Sequence, residues 1–297
     1  MQDFPQVYLD RIQECFPSLV ITSLSANRDG LVNDILVVNR ELVFRFPKDE
    51  RAREALAREA RLLDLVRSRV ELPVPSFEYQ ETDFVMYRLI PGQALHREDL
   101  LRLEDRMQDR LAGQMAAFLQ QLHSIPVESI GQNAIPASYA VRSREDWVQL
   151  YTDVRNELFP LLMTHAKEWI ADHFAPLLDG SLQLEHEPLL IHGDLGPYHI
   201  LFDRTGPRIS GVIDFGTAGL GDPTDDFANL IHGLGESFLR RMIPFYPQIQ
   251  SSLDRARFHA GTLELQWALN GLRSGDLSWL VCHIGRARDM APHGAGG

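Results

Sequence analysis

The chain has 297 residues, 41 acidic against 29 basic side chains and a net charge of −12, with 44% hydrophobic and 24% charged residues. That composition excludes global disorder, and no apolar run reaches the roughly 18–20 residues of a membrane span. The acid excess argues against a nucleic-acid partner, whose phosphates draw Lys and Arg, and leaves room for a cationic one. The start, MQDFPQVYLDRIQECF, has no basic-then-apolar leader. Cys15 and Cys282 stand at opposite ends in no metal-like spacing. A cytoplasmic free-thiol protein with no membrane partner is expected, acting as a monomer.

In chain order, the first 90 residues read as strands wrapped around one helix. Residues 19–24, 35–38, 42–46 and 84–90 are rich in Val, Ile, Leu and Phe, with Asn, Asp and Gly between them. Residues 49–69, rich in Ala and Leu without Gly or Pro, read as the helix. From residue 97 the pattern changes. Leu100, Leu103, Met107, Leu111, Met115, Phe118 and Leu122 form one apolar stripe of a long amphipathic helix. Helical patterns return near 145–179 and 222–291. Only the window 188–220 interrupts them, with strand candidates at 189–191, 199–203 and 209–214. The fold class expected is α+β and bilobal: a β-rich lobe over 1–90, a turn or hinge at Ile90-Pro91-Gly92, and a helical lobe over 91–297.

The chemistry concentrates in the window IHGDLGPYHILFD, residues 191–203, followed by Ile213-Asp214-Phe215-Gly216. Two apolar strand candidates each deliver an aspartate, Asp194 and Asp214, to a loop containing glycine, where a rigid scaffold presents reactive groups. One carboxylate beside His and Gly can accept a hydroxyl proton. The other, with a neutral ligand nearby, can hold Mg²⁺ against phosphate oxygens. Each aspartate alone could equally cap a turn. In the β-rich part, alternation sets Leu42, Phe44 and Phe46 on one strand face and Val43 and Arg45 on the other. In the following helix Glu59 shares a stripe with Leu56, Leu63 and Val66, so its carboxylate needs a buried partner, and Arg45 is the candidate. That pair can be a structural ion pair or a phosphate-side device.

These motifs resemble the aminoglycoside phosphotransferase family of protein-kinase-like small-molecule kinases, near the branch of aminoglycoside 2″-phosphotransferases and macrolide phosphotransferases. The kinase signature of H-R-D, Asn and D-F-G has its counterpart in His192-Gly193-Asp194, His199 and Asp214-Phe215-Gly216. The resemblance implies that Asp194 is the base for the acceptor hydroxyl, that His199 and Asp214 hold Mg²⁺, and that His192 supports the loop. His199 replaces the commoner Asn, as in that branch. Asp226, in the Gly221-to-Phe227 segment, is expected to cap a helix. Arg45 with Glu59 resembles the kinase Lys–Glu pair that fixes the phosphates of ATP or GTP, with Arg where Lys is usual; Lys48 is a backup contact or a solvated side chain.

The polar loop 25–34 fits the nucleotide-covering loop with only one glycine, Gly30, and with Ser25 and Asn27 as candidate phosphate donors. Residues 86–90 stand at the hinge, where Leu89 borders the purine and Tyr87 either crowds the base or belongs to the core. On the acceptor side Glu236, Glu264 and Trp279 match the family by position, with Asp153 and Glu157 as further carboxylates. The stretch 228–236 lacks the acidic run of the 2″-kinases, and a more neutral cleft would suit a macrolide. Absence of H-E-x-x-H, G-x-S-x-G and Walker patterns removes zinc hydrolases, serine hydrolases and P-loop enzymes. The expected activity is transfer of the γ-phosphoryl group to a small-molecule hydroxyl, with an aminoglycoside first, a macrolide second and an endogenous sugar or amino alcohol third. The alternative from another class is a nucleotide-binding pseudokinase.

Overall fold

A computed structural model describes residues 5–28, 32–133, 135–138 and 143–284. A five-stranded antiparallel sheet, in the order β1-β2-β3-β5-β4, is built from β1 (Leu24–Asn27), β2 (Asn33–Val38), β3 (Leu42–Pro47), β4 (Phe77–Gln80) and β5 (Val85–Arg88). One face carries Leu36, Val38, Phe44, Phe46, Phe84 and Met86, covered by Ile12 of α1 (Gln6–Cys15). The other face meets α2 (Glu50–Val66), whose first turn is capped by Asp49 accepting from the Ala52 N–H at 2.8 Å. Alternation along β3 therefore points Phe44 and Phe46 outward to α1 and turns Arg45 inward to α2, as the residue pattern required.

Two expectations change here. Residues 19–23 are not strand; β1 begins at Leu24, with the Asn39 side chain accepting from the Thr22 and Ser23 N–H groups where a ladder would otherwise run. Among the described residues, the first 90 hold two helices, not one, and β4 is an additional strand.

Beyond Gly92, β6 (Gln93–Ala94) pairs with β8 (Ile200–Asp203), which pairs with β9 (Arg208–Val212). A second ribbon joins β7 (Leu189–Ile191) to β10 (Gly219–Gly221). The apolar stripe of 100–122 runs through two helices, α3 (Arg97–Leu101) and α4 (Asp105–His123), because the backbone at Glu104 is extended (ψ 152°). After α5 (Val127–Gln132), α6 (Arg144–Asp153) passes through a π-turn at Val154–Leu158 and a 3₁₀ turn at Phe159–Leu161 into α7 (Thr164–Leu178). Pro160 explains the break, since it lacks the N–H of a continuing helix. Then come α8 (Pro223–Leu234), α9 (Glu236–Met242), α10 (Ile249–Ser274) and α11 (Leu277–Ile284). The end of the expected 222–291 helical region lies outside the described residues.

One core joins α2 residues Leu62, Leu63 and Val66 to Leu111, Met115 and Phe118 of α4 and to Phe215 and Phe227, so it runs behind the loops that carry the aspartates. A second fills the space between α6, α7, α10 and α11. No helix among the described residues is long and apolar enough to cross a membrane.

Candidate active site

The loop between β7 and β8 carries His192, Gly193 and Asp194, and Asp214 follows β9. His192 is fully buried and ties the two loops together. Its Nδ1 accepts the Asp194 N–H at 3.3 Å, so its Nε2 holds the proton and donates to the Ile213 carbonyl at 3.0 Å, one residue before Asp214. Burial pushes the His192 pKa below its ordinary value, against the pull of Asp226 and Asp194, which keeps this ring neutral. Gly193 has a φ of +78°, and a Cβ there would lie 2.6 Å from Ser138 Oγ and 3.0 Å from the Thr217 carbonyl. Only glycine suits that place.

His199 faces both aspartates. Its Nδ1 lies 2.7 Å from the Asp194 carbonyl oxygen, which can only accept, so Nδ1 carries the proton. In the neutral ring the Nε2 lone pair then faces Asp214 Oδ2 across 3.5 Å. Nitrogen and carboxylate oxygen converge as two donor atoms toward one space, as a divalent cation requires, with phosphate and water left to complete its shell. The residues present thus fit Mg²⁺. Asp214 adopts φ +66°, a left-handed conformation that aspartate tolerates better than most. Burial works to raise its pKa, but Arg45, His199, His192 and the Gly216 N–H outweigh it and hold the carboxyl below its ordinary range. The Asp194 side chain is about half exposed, at 47%.

On the opposite wall, Arg45 donates to Glu59 Oε1 at 2.8 Å, and both side chains are buried. Burial opposes the guanidinium charge, yet Glu59, Tyr87 and Asp214 raise the Arg45 pKa above its usual value. Tyr87 lies across from Val43 on β5, 8% exposed, with its phenol pushed up to about 12 by burial. It is a core residue whose hydroxyl side belongs to the Arg45 cluster. Leu89 donates its N–H to the Glu41 carbonyl at 2.7 Å, so that hinge donor is already taken and is not offered to a purine. Ser25 and Asn27 sit on the exposed strand β1; Gly30 lies outside the described residues. Lys48 donates to the Arg28 carbonyl at 2.9 Å and lies 3.5 Å from Asp34, holding the base of the loop.

Asp226 is not a cap. Asp222 caps α8 by accepting the Thr224 N–H at 2.9 Å. Asp226 is fully buried one turn on and accepts from the His192 and Gly193 N–H groups at 3.0 and 2.8 Å.

The carboxylates expected on the acceptor side are paired with basic side chains. Glu236 receives Arg240 at 2.7 Å and Arg257 at 2.7 and 2.9 Å, and the Arg257 hydrogen bonds hold its carboxyl down to about 2. Asp153 and Glu157 are both bound by Arg273. Glu264 joins two imidazoles, His232 at 2.8 Å and His283 at 2.6 Å. Trp267 packs edge-on against His232 and at a tilt against His283, with centroids 4.9 Å apart in each case, and Trp279 contacts His283 at 4.6 Å. Gly233, next to His232 on α8, packs on Pro197 of the aspartate loop so closely that a Cβ would lie 2.3 Å from the proline ring. His232 and His283 escaped the sequence reading, since their shared partner is on another helix.

Comparison with known proteins bears on the family and the fold. Viomycin phosphotransferase of Streptomyces vinaceus is 31% identical over 199 residues; the alignment spans 66% of this chain and 66%, just under two thirds, of that relative. A solved structure of an APH(2″) enzyme in complex with GDP and kanamycin has 29% identity and a TM-score of 0.83, covering 94% of this chain and 96% of that one. Macrolide 2′-phosphotransferase type I shares the fold at 21% identity and a TM-score of 0.74, over 98% of this chain and 99% of that one. A sequence model of the phosphotransferase enzyme family matches residues 22–262, from just before the first strand to the middle of α10, and the chain belongs to that family.

Proposed function

We propose that this chain is a small-molecule kinase that transfers the γ-phosphoryl group of ATP or GTP to a hydroxyl of an antibiotic-like acceptor, an aminoglycoside before others. The observation that carries the reading is His199, proton-locked on the Asp194 carbonyl and turned with its free nitrogen to Asp214. The relatives named for viomycin and bound to GDP and kanamycin support an antibiotic acceptor and a nucleotide donor.

Asp194 orients the acceptor hydroxyl and takes its proton at a carboxylate oxygen. Its backbone is held by His192 and His199, so the carboxylate starts from a fixed point. Arg45, kept straight by Glu59, binds the nucleotide phosphates, with Ser25 and Asn27 above them. Tyr87 closes the inner end of the base pocket, and Leu89 borders it. His199 Nε2 and Asp214 would hold Mg²⁺, which when bound neutralises charge on the phosphates. Glu264 and Trp279, with Trp267, receive the acceptor; Glu236 shapes that side through its arginines. We place the enzyme in the cytoplasm as a monomer, in keeping with its two free thiols.

A second reading has an observation of its own. With Glu236 neutralised by two arginines and Glu264 shared by two histidines, the acceptor side offers more aromatic and imidazole surface than free negative charge. That favours a less cationic acceptor such as a macrolide. A coupled assay for Mg²⁺-dependent nucleotide turnover against an aminoglycoside and macrolide panel decides between the two. Asp194→Asn is expected to lower kcat by about a thousandfold or more while leaving nucleotide binding within about twofold. A flat panel with nucleotide binding intact would instead indicate a pseudokinase or an endogenous acceptor, and full activity in Asp194→Asn would refute the mechanism.

A further inference from the structure

Behind the aspartate loop, away from nucleotide and acceptor, lies a buried chain of polar side chains that the phosphoryl transfer itself does not use. Asp226 of α8 accepts the Gly193 N–H on Oδ1 at 2.8 Å and the His192 N–H on Oδ2 at 3.0 Å. His123, the last residue of α4, places its Nε2 3.1 Å from the same Oδ2. Its Nδ1 lies 3.1 Å from the hydroxyl of Tyr246, in the connection between α9 and α10. Asp226 is fully buried, His123 is 4% exposed and Tyr246 6%. Phe227 packs against both rings, its centroid 5.9 Å from His123 and 6.0 Å from Tyr246.

For a neutral His123 ring, proton counting fixes the direction of this chain. The Asp226 carboxylate can only accept, so His123 Nε2 must carry a proton. In the neutral ring Nδ1 is then an acceptor, and Tyr246 O–H is the donor that satisfies it. The phenol thereby holds the ring in the one tautomer and orientation that supports Asp226.

We infer that Tyr246 and His123 are positioning residues: together they orient the Asp226 carboxylate, which sets the His192–Gly193 backbone and hence the place of Asp194. The inference rests on the kinase reading for its effect on turnover, but not for its effect on the loop. Without the Tyr246 hydroxyl, His123 Nδ1 is a buried nitrogen with no donor, and the imidazole is free to turn. Asp226 then loses the third donor that fixes its plane, and the two loop N–H groups lose their fixed acceptor. Small displacements of a reacting group are costly to the rate without weakening the binding of a nucleotide held elsewhere.

Tyr246→Phe, His123→Ala and His123→Gln, compared with the unaltered chain, test this with two measurements. Steady-state kinetics are run with whichever acceptor is turned over, and hydrogen exchange is followed at the His192 and Gly193 amides without any ligand. Tyr246→Phe is expected to lower kcat about fivefold, as for loss of one neutral hydrogen bond, with the nucleotide KM unchanged within about twofold. Exchange at those two amides speeds up while the β8 amides keep their rates. His123→Ala is expected to do more, and His123→Gln, which keeps an N–H near the place of Nε2–H, to recover part of that loss. Wild-type kcat with unchanged loop exchange in Tyr246→Phe overturns the inference, as does faster exchange spread evenly over the chain. If the unaltered protein phosphorylates nothing, the kinase reading fails, and loop exchange alone still decides the inference.

Discussion

Arg45 and Glu59 are fourteen residues apart in sequence, and their side chains are only 9% and 1% exposed. A buried ion pair of this kind adds little net stability, but breaking it leaves an uncompensated charge in a dry place. Glu59→Gln is therefore expected to destabilise the fold by about 3 kcal/mol, seen as a lower urea midpoint at neutral pH. An unchanged midpoint would mean that water reaches Arg45. This pair was readable from the residues because a glutamate in an apolar stripe demands a cation, and β3 alternation supplied one. The role of Asp226 was not readable. An aspartate four residues after Asp222 near a helix start has the pattern of a cap, and its true partners lie 33, 34 and 103 residues away in the chain. The partners of Glu236, Asp153 and Glu157 were hidden for a related cause. Sequence shows that a carboxylate is present, but not which arginine of another helix has already claimed it.

At the level of elements, the loop between β7 and β8 is the most constrained segment of the site. It is held by Asp226 from below, by His192 toward Ile213, and by Thr217, whose hydroxyl donates to the His192 carbonyl at 3.0 Å. Gly193→Ala would place a methyl group against Ser138 Oγ and the Thr217 carbonyl at a positive φ. It is expected to cost about 1–3 kcal/mol in thermal unfolding and to lower kcat more than the nucleotide KM changes. Equal stability and equal kcat would contradict this account of the loop. Elements with a strong period were legible: α2, β2, β3, and the stripe of α4. Those that were missed carry little signal of their own. Helix α1 buries only Ile12, β6 spans two residues and β10 three, and β4 pairs through a bulge between Phe77 and Tyr79. Their existence is decided by the surface they land on.

For the whole molecule, the charge of −12 is not left free at Glu236 and Glu264, where arginines and imidazoles meet the carboxylates. Its titration still matters. Burial holds His192 and His173 below the ordinary histidine value of 6.5. The unfolded chain takes up protons there that the folded chain refuses, so the stability from these rings is complete above about pH 6.5 and falls as pH drops below it. A denaturant midpoint lower at pH 5.5 than at pH 7.5 is expected; an equal or higher one would mean that both rings are protonated in the fold. Arg45 behaves differently, because its guanidinium stays charged at every pH the fold survives. It is also closed to a kind of chemistry that a lysine there would invite. Acylating reagents tethered to a nucleotide mark a phosphate-binding lysine by forming an amide, and a guanidinium gives them no amine. The chain has only two lysines, Lys48 and Lys167. If Arg45 faces the nucleotide phosphates as proposed, such a probe has Lys48, 3.5 Å from Asp34, as the lysine of the same lobe.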